Sequence, residues 1–594
     1  MSLSAEIVAS SGANKDDIHY GPFRKWLTPI TTEALSHEDL TSGPISLGQA
    51  FGFLIRRDRA RPSFHESMEP PSQATMKLAF TLFDRYGFLK SEFVEHEVRR
   101  GSGVWGRELD SGNIVLVETV TVRKRMRRGS IGTKLVLKLL QMAMALSKDV
   151  KFAFISPVMM DDEKEEAEHR GMNGKQYLEM RRVQLQTAIS FFRALKFRRV
   201  GRTEWFALAR DDTHPSRALA NDGEYDTSDI EMTKSGSESN CEKDGCTTEQ
   251  LRSDPSSQDS NSYRQQHLCA TPLHCALRTY SDDTCCEIFQ SRLQESAMTS
   301  PDWETVDSWG NSILHVAAVL SMSKCLTWIS NSPLGNTLSH VRNQNGHTPL
   351  EALKSRLETE RVERPFGLQR IISVSDSFDG FDDNSVSCLI TLQGMQGMST
   401  ELRARARLGC SCGKCLAGFV SPRMTWKLQD QSQTLSELLK SRFSEDDGMS
   451  WYEEFKEHLK YVPDGLRPRF KHSKVLRRRF ADLFGLIAEC LSRKVIPDDI
   501  NIMAALRETS CWSQMDTHYF KRRGIVAAVV HLVIDRAKKV DTKAGHGPIS
   551  AVEEARISVL SSCRNDHEFE FVRRHWVSDL VHRKGQERKG AGPR

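Results

Sequence analysis

The sequence predicts a multidomain chain: an α/β domain, a polar linker, a block of α-helical repeats and an α-helical C-terminal region. Three observations lead there. At 594 residues the chain exceeds what one hydrophobic core supports, because single cores stop growing near roughly 250 to 300 residues. Before residue 212 the apolar residues switch between strand-like and helix-like spacing, whereas beyond about 265 they keep helical spacing. Between those regimes lies a Ser-, Asp-, Glu-, Asn- and Gln-rich stretch that cannot bury enough surface to offset its ordering entropy.

The elements follow in chain order. Within residues 1–212, the apolar run FGFLI at 51–55 precedes a helical pattern, ATMKLAFTLFDRYG. Residues 114–122, IVLVETVTV, are β-branched and uninterrupted, and they stop at a basic turn followed by TKLVLKLLQMAMALSK, whose apolar residues recur at helical spacing. A second strand, VKFAFIS, precedes a charged segment, the helix AISFFRALKF and the closing strand FRRVGRTEWFALA. Residues 213–264 form the expected disordered acidic linker, 265–360 the helical repeats, 361–580 a mostly helical domain and 581–594 a disordered basic tail.

Composition narrows the function classes. No window approaches the roughly 18 apolar residues of a membrane span, and the first residues lack a secretory layout, so an intracellular protein of cytoplasm or nucleus is expected, without a membrane partner. The 14 cysteines are scattered along a long chain, which favours reduced thiols over a disulfide framework. A net charge of +5 with short basic runs, such as Arg477-Arg478-Arg479, reads as solvated helix faces, and nucleic acid is not an expected partner. The acidic run at 161–169 reads the same way. Metalloprotease, nucleophile-elbow, phosphate-loop and kinase motifs do not occur, so hydrolase and phosphotransferase readings have no support.

The chemistry concentrates at Arg127-Arg128-Gly129-Ser130-Ile131-Gly132. A strand feeding a glycine-containing turn into a helix offers free backbone amides and the positive end of the helix dipole to a phosphate. With VETVTVRKRM before it and TKLVLKLL after it, this turn resembles the core signature of the GNAT superfamily of acyl-CoA N-acetyltransferases. A later family element, a helix ending in Tyr-x-x-x-Gly-Phe, corresponds to Phe192-Arg193-Ala194-Leu195-Lys196-Phe197. The resemblance implies a mixed central sheet with flanking helices and acetyl-CoA as co-substrate. It implies that the backbone of Val120 and Val122 binds pantetheine, and that Arg127, Arg128, Gly129, Ser130, Ile131, Gly132 and Thr133 hold the pyrophosphate. It also implies that Glu118 is the candidate general base, with Glu95, His96 and Glu97 as alternatives. Four departures stand out. Ser130 replaces a family glycine, Phe192 replaces the tyrosine that serves as acid, Lys196 replaces the glycine before Phe197, and Leu185 stands where many members carry asparagine.

Further along, Thr271-Pro272-Leu273-His274-Cys275-Ala276 resembles the T-P-L-H-x-A frame that opens an ankyrin repeat. Ser312-Ile313-Leu314-His315-Val316-Ala317 repeats it 41 residues later, and Thr348-Pro349-Leu350-Glu351-Ala352 repeats it 36 residues after that. The third copy has Glu351 in place of histidine and degrades after Leu353, as a terminal capping repeat would. The resemblance implies a protein-binding block with an unidentified partner.

Finally, Cys410, Cys412 and Cys415 form a C-x-C-x-x-C cluster that could supply three zinc ligands. No fourth ligand is evident nearby, since Cys388 and His472 lie at unrelated distances, so a reduced turn without metal is expected. The surrounding GCSCGKCLAGFVSPRM resembles a segment that follows ankyrin repeats in fungal GNAT/ankyrin proteins, which implies no activity. Two readings stand at this point. One is an acetyl-CoA-dependent N-acetyltransferase acting on a primary amine of an unknown acceptor. The other is an ankyrin scaffold carrying a catalytically weak acyl-CoA-binding domain.

Overall fold

The computed structural model describes residues 5–11, 20–36, 45–60, 64–157, 174–220, 271–295, 303–366, 369–372, 378–395, 397, 399–441, 448–508, 518–522, 524–543, 555–557 and 559–576. The acidic run at 161–169, the linker from 221 to 264 and the tail at 581–594 lie outside them. The chain divides into two compact units, one drawn from residues up to 258 and one from the rest apart from short stretches at 344–346 and 367–369. No helix among the described residues is long and apolar enough to cross a membrane.

The first unit is built on a seven-stranded mixed sheet. Strands β1 (Ala5–Ser11), β2 (Leu27–Ser36), β3 (Ile45–Ile55) and β4 (Asn113–Val122) are antiparallel neighbours. β4 then pairs in parallel with β5 (Val150–Ile155), and an antiparallel pair, β6 (Arg198–Arg199) and β7 (Phe206–Ala209), closes the sheet through β7. Both faces of β4 are covered, which is why its sequence is a β-branched run rather than an alternation. Ile114 and Leu116 join one core with Phe53, Phe154 and the Leu78, Ala79 and Leu82 side chains of helix α1 (Gln73–Leu82). Val115 and Val117 join the opposite core, against helix α2 (Ile131–Leu146). α2 buries Ile131, Leu135, Val136, Leu139, Leu140 and Ala143, one stripe at helical spacing. Each large aliphatic side chain in that stripe contributes about 1.5–3 kcal/mol of burial. Helix α3 (Gly174–Ala194) adds Ile189 and Phe192 to the same core.

The unit extends past 212, where the sequence suggested the linker begins. Residues 215–218 form a short helix capped by His214, whose ring stacks on Trp105 at 4.9 Å. The buried guanidinium of Arg198 donates to the Leu219 carbonyl at 2.9 Å. Buried polar hydrogen bonds hold this segment, and a reading based on apolar content alone overlooks them.

The second unit is almost wholly helical. Its first part stacks helix pairs: α4 (Pro272–Thr279) with α5 (Asp282–Glu295), α6 (Ile313–Val319) with α7 (Ser323–Asn331), and α8 (Pro349–Val362) with α9 (Asp383–Leu392). The first helices pack in the order α4, α6, α8 and the second helices in the order α5, α7, α9. The repeated histidines join one layer to the next. His274 bridges its own cap residue Thr271 (2.9 Å) and the Asn311 carbonyl (3.0 Å). His315 accepts the Ser312 amide at Nδ1 (3.2 Å) and donates Nε2–H to the His347 carbonyl (2.9 Å). Glu351, which replaces the third histidine, turns back instead and accepts from the Thr348 amide (2.8 Å) and from Arg342 (2.8 Å). It thereby caps its own helix.

The division expected at 360 changes. α8 continues through a buried Leu357 to Val362, and its partner helix α9 begins only at Asp383. A two-stranded ribbon, Glu363–Phe366 with Gln369–Ile372, interrupts the pair and hides the repeat period. The division at 360 therefore cuts through one helix pair.

Beyond it, α10 (Thr400–Arg407) packs on α9, and α11 (Pro422–Ser441), α12 (Lys474–Ser492), α13 (Asp499–Glu508) and α14 (Val526–Lys543) surround a core that includes Leu428, Phe480, Phe484 and Val529. The segment 559–576 closes this core. Phe571 and Trp576 pack on Phe419, and the buried Arg361 and Glu568 pair at 3.1 Å. At the start of that segment the chain turns, and the Cys563 amide bonds the Asp566 carboxylate at 3.0 Å.

Candidate active site in the first unit

β4 and β5 pair only over Asn113↔Val150 to Leu116↔Phe154, yet β4 continues to Val122. The two strands part after Leu116, and one edge of β4 from Val117 onward has no strand beside it among the described residues. The backbone direction along that edge follows from one hydrogen bond. Arg123 donates its amide to the Leu47 carbonyl at 3.0 Å, so position 123 faces β3. Alternation then turns Thr121 toward β3 and turns Val120 and Val122 toward the opened edge. Arg127 agrees, since its Nε reaches the Val122 carbonyl from the turn at 3.1 Å.

Glu118 sits in a β-bulge. Phe51 pairs with Thr119 and Gly52 with Val117, leaving Glu118 without a partner across the ladder. Gly52 is required here because a side chain at that point would run into the Leu116 carbonyl. The bulge re-aims one side chain and twists the strand locally. Burial pushes the Glu118 carboxyl above its ordinary value, partly offset by a hydrogen bond from Ser72, the N-cap of α1.

The turn after β4 is exposed and cationic. Arg123, Lys124, Arg125, Arg127 and Arg128 all lie on the surface. Arg128 (φ 65°) and Ser130 (φ 61°) adopt left-handed backbone, which brings the chain sharply into α2. Ser130 is the N-cap of α2 but makes no side-chain cap. The amides of Ile131, Gly132 and Thr133, in the first helical turn, have no intrahelical acceptor. Gly132 lies against Phe191, whose ring is 3.3 Å from where a Cβ would be.

At the end of α3, Lys196 is left-handed (φ 68°), and the Phe197 amide bonds the Phe192 carbonyl at 3.0 Å, a helix closure that more often uses glycine. Phe192 itself is a core residue. Its ring packs edge-on against Phe191 (4.9 Å) and Phe197 (5.5 Å), and it is Phe191 that abuts the turn. Neither ring has a hydroxyl to donate a proton. Leu185 packs against the same core.

The alternative bases lie together on the loop at 94–100. His96 Nδ1 accepts from the amides of Val98 (3.0 Å) and Arg99 (3.1 Å), and Glu95 is exposed 3.6 Å from Arg107. Glu97 is exposed on the same loop.

In the second unit, the C-x-C-x-x-C cluster acquires a neighbour that the sequence did not reveal. Cys563 lies with Cys410, Cys412 and Cys415, and the four sulfurs all fall within 4.8 Å of one another. The expectation of no metal rested on a missing fourth ligand, and that premise is gone.

Comparison with protein-family models, with curated proteins and with solved structures finds no match to the chain.

Proposed function

We propose that the first unit is an acyl-CoA-dependent N-acyltransferase of GNAT type, and that acetyl-CoA lies along the opened edge of β4. The parting of β4 from β5 after Leu116 carries this reading, because it leaves strand backbone exposed beside an anion-binding helix start. Val120 and Val122 offer donors and acceptors to the pantetheine amides. The amides of the first turn of α2, with Arg127 and Arg128, face the pyrophosphate. The neutral acceptor amine attacks the thioester carbonyl carbon, and Glu118 takes the proton that its nitrogen sheds as the carbon–nitrogen bond forms. The carbon–sulfur bond breaks, and with phenylalanine at 191 and 192 the departing thiolate takes its proton from solvent.

The stacked helix pairs are the partner-binding block, read as ankyrin-like repeats from the histidine links at His274 and His315. One observation favours a second reading, a scaffold whose acyl-CoA domain turns over weakly: both aromatic residues at the helix end lack a hydroxyl.

Acetyl-CoA calorimetry on the full chain tests the first claim, and an amine panel with thiol-release detection tests the second. Binding with turnover supports the enzyme. Binding without turnover supports the scaffold, and absence of binding overturns both.

A further inference from the structure

We propose that Cys410, Cys412, Cys415 and Cys563 bind one structural zinc ion. Adjacent sulfurs are separated by 3.8 Å (Cys410 to Cys412), 3.8 Å (Cys412 to Cys415) and 3.5 Å (Cys415 to Cys563). A zinc–sulfur bond of about 2.3 Å in a tetrahedron puts its ligand sulfurs about 3.8 Å apart, so the four thiols already outline the polyhedron. Other cysteine chemistry fits less well. A disulfide needs sulfurs about 2.05 Å apart. An iron–sulfur cluster of several irons spreads its cysteines over more than one metal, whereas this group converges on a single point.

The surroundings suit thiolates. The Ser411 amide points to Cys563 Sγ and the Lys414 amide to Cys412 Sγ, each at 3.4 Å, and Asn565 Nδ2 lies 3.9 Å from Cys415 Sγ. Such hydrogen bonds orient metal-bound sulfur and spread its charge. Gly413 (φ 69°) provides the left-handed turn that folds Cys412 and Cys415 toward the same point. Cys415 and Cys563 are buried and all four positions are cysteine, which describes a closed site rather than one open to substrate. On binding, the four thiols lose their protons to solvent and the centre takes a net charge of minus two. Lys414 and Arg564 lie on the two ligand-bearing segments. The ion ties the knuckle at 410–415 to a residue 148 positions beyond Cys415, so it fastens the segment 559–576 to the helical unit.

The test uses the full-length chain purified reduced and without chelator. Elemental mass spectrometry should find one zinc per chain. Cobalt loading should give the intense thiolate-to-cobalt absorption and visible bands of a tetrahedral tetrathiolate site, and zinc should abolish them. Cys563→Ser should lower zinc affinity by more than the roughly 10- to 100-fold that loss of a neighbouring hydrogen bond costs, while Cys490→Ser, outside the cluster, keeps the full complement. A reduced wild-type chain that takes up neither zinc nor cobalt would overturn the proposal, as would iron as the resident metal or unchanged affinity in Cys563→Ser. Should that variant fail to fold, the wild-type metal content and cobalt spectrum decide alone.

Discussion

Replacing Val120 with proline separates the acyl-CoA reading from a merely structural role for β4. The Val120 amide faces the opened edge, whereas the Thr121 amide faces β3, by alternation from the bond between Arg123 and Leu47. Proline at 120 therefore leaves the β3–β4 ladder whole, as proline does on an edge whose amide faces outward. What it removes is one donor to the cofactor, leaving a ligand carbonyl unsatisfied at a cost of about 1–3 kcal/mol. At about 1.4 kcal/mol per decade, acetyl-CoA should bind about 5- to 150-fold more weakly. Val120→Ala keeps the amide and is the control for the lost side chain. Thr121→Pro should instead lose stability, because it leaves a carbonyl of β3 unpaired inside the sheet. Calorimetry with acetyl-CoA beside urea unfolding of each variant reads both effects. Unchanged affinity in Val120→Pro, or equal weakening in Val120→Ala, would refute the assignment of this edge to the ligand.

Three further outcomes follow from the geometry. Glu118→Gln should keep acetyl-CoA affinity and lower turnover by about 100-fold or more. In the unaltered chain kcat/KM should fall as pH drops through a midpoint above 4.5, because burial raises the Glu118 pKa and protonation disables the base; an acid limb that persists in the variant would remove Glu118 from the mechanism. His65, buried under Phe80 with Nε2 between the Ala79 and Phe83 carbonyls, has its pKa lowered from 6.5 to about 4, chiefly by burial. The unfolded chain binds the extra proton between those values, so the His65 contribution is complete above pH 6.5 and about 3 kcal/mol of it is lost by pH 4. His65→Gln should flatten that slope in pH-dependent urea unfolding, and an unaltered slope would contradict the buried neutral ring. Lys196→Gly should hold or gain up to about 1 kcal/mol by relieving left-handed strain, whereas Lys196→Val should cost about 1–2 kcal/mol; a destabilised glycine variant in the same unfolding assay would argue against the φ of 68°.

How far the sequence spoke depended on distance along the chain. β4, its turn and α2 were legible because a β-branched run, a glycine-containing basic turn and a helical stripe are written within about 35 consecutive residues. The same holds for the repeated frames at 271, 312 and 348. The bulge at Glu118 was not legible, since it exists only in register with Gly52 on another strand. Phe192 stood out by spacing alone, but spacing does not say which neighbouring ring reaches the turn, and that ring is Phe191. The second helix of the third pair was obscured by an inserted ribbon, and Cys563 by its separation from the other three cysteines.

That separation also sets a schedule. At roughly 5–20 residues per second, the ribosome needs on the order of ten seconds to progress from Cys415 to Cys563. Throughout that interval Cys410, Cys412 and Cys415 stand without Cys563, and the apolar surface around Phe419 is uncovered, with Phe571 and Trp576 not yet made. The helical unit is thus a late-closing fold. Its period of greatest exposure to oxidation and aggregation falls during its own synthesis, when chaperones have the most to shield.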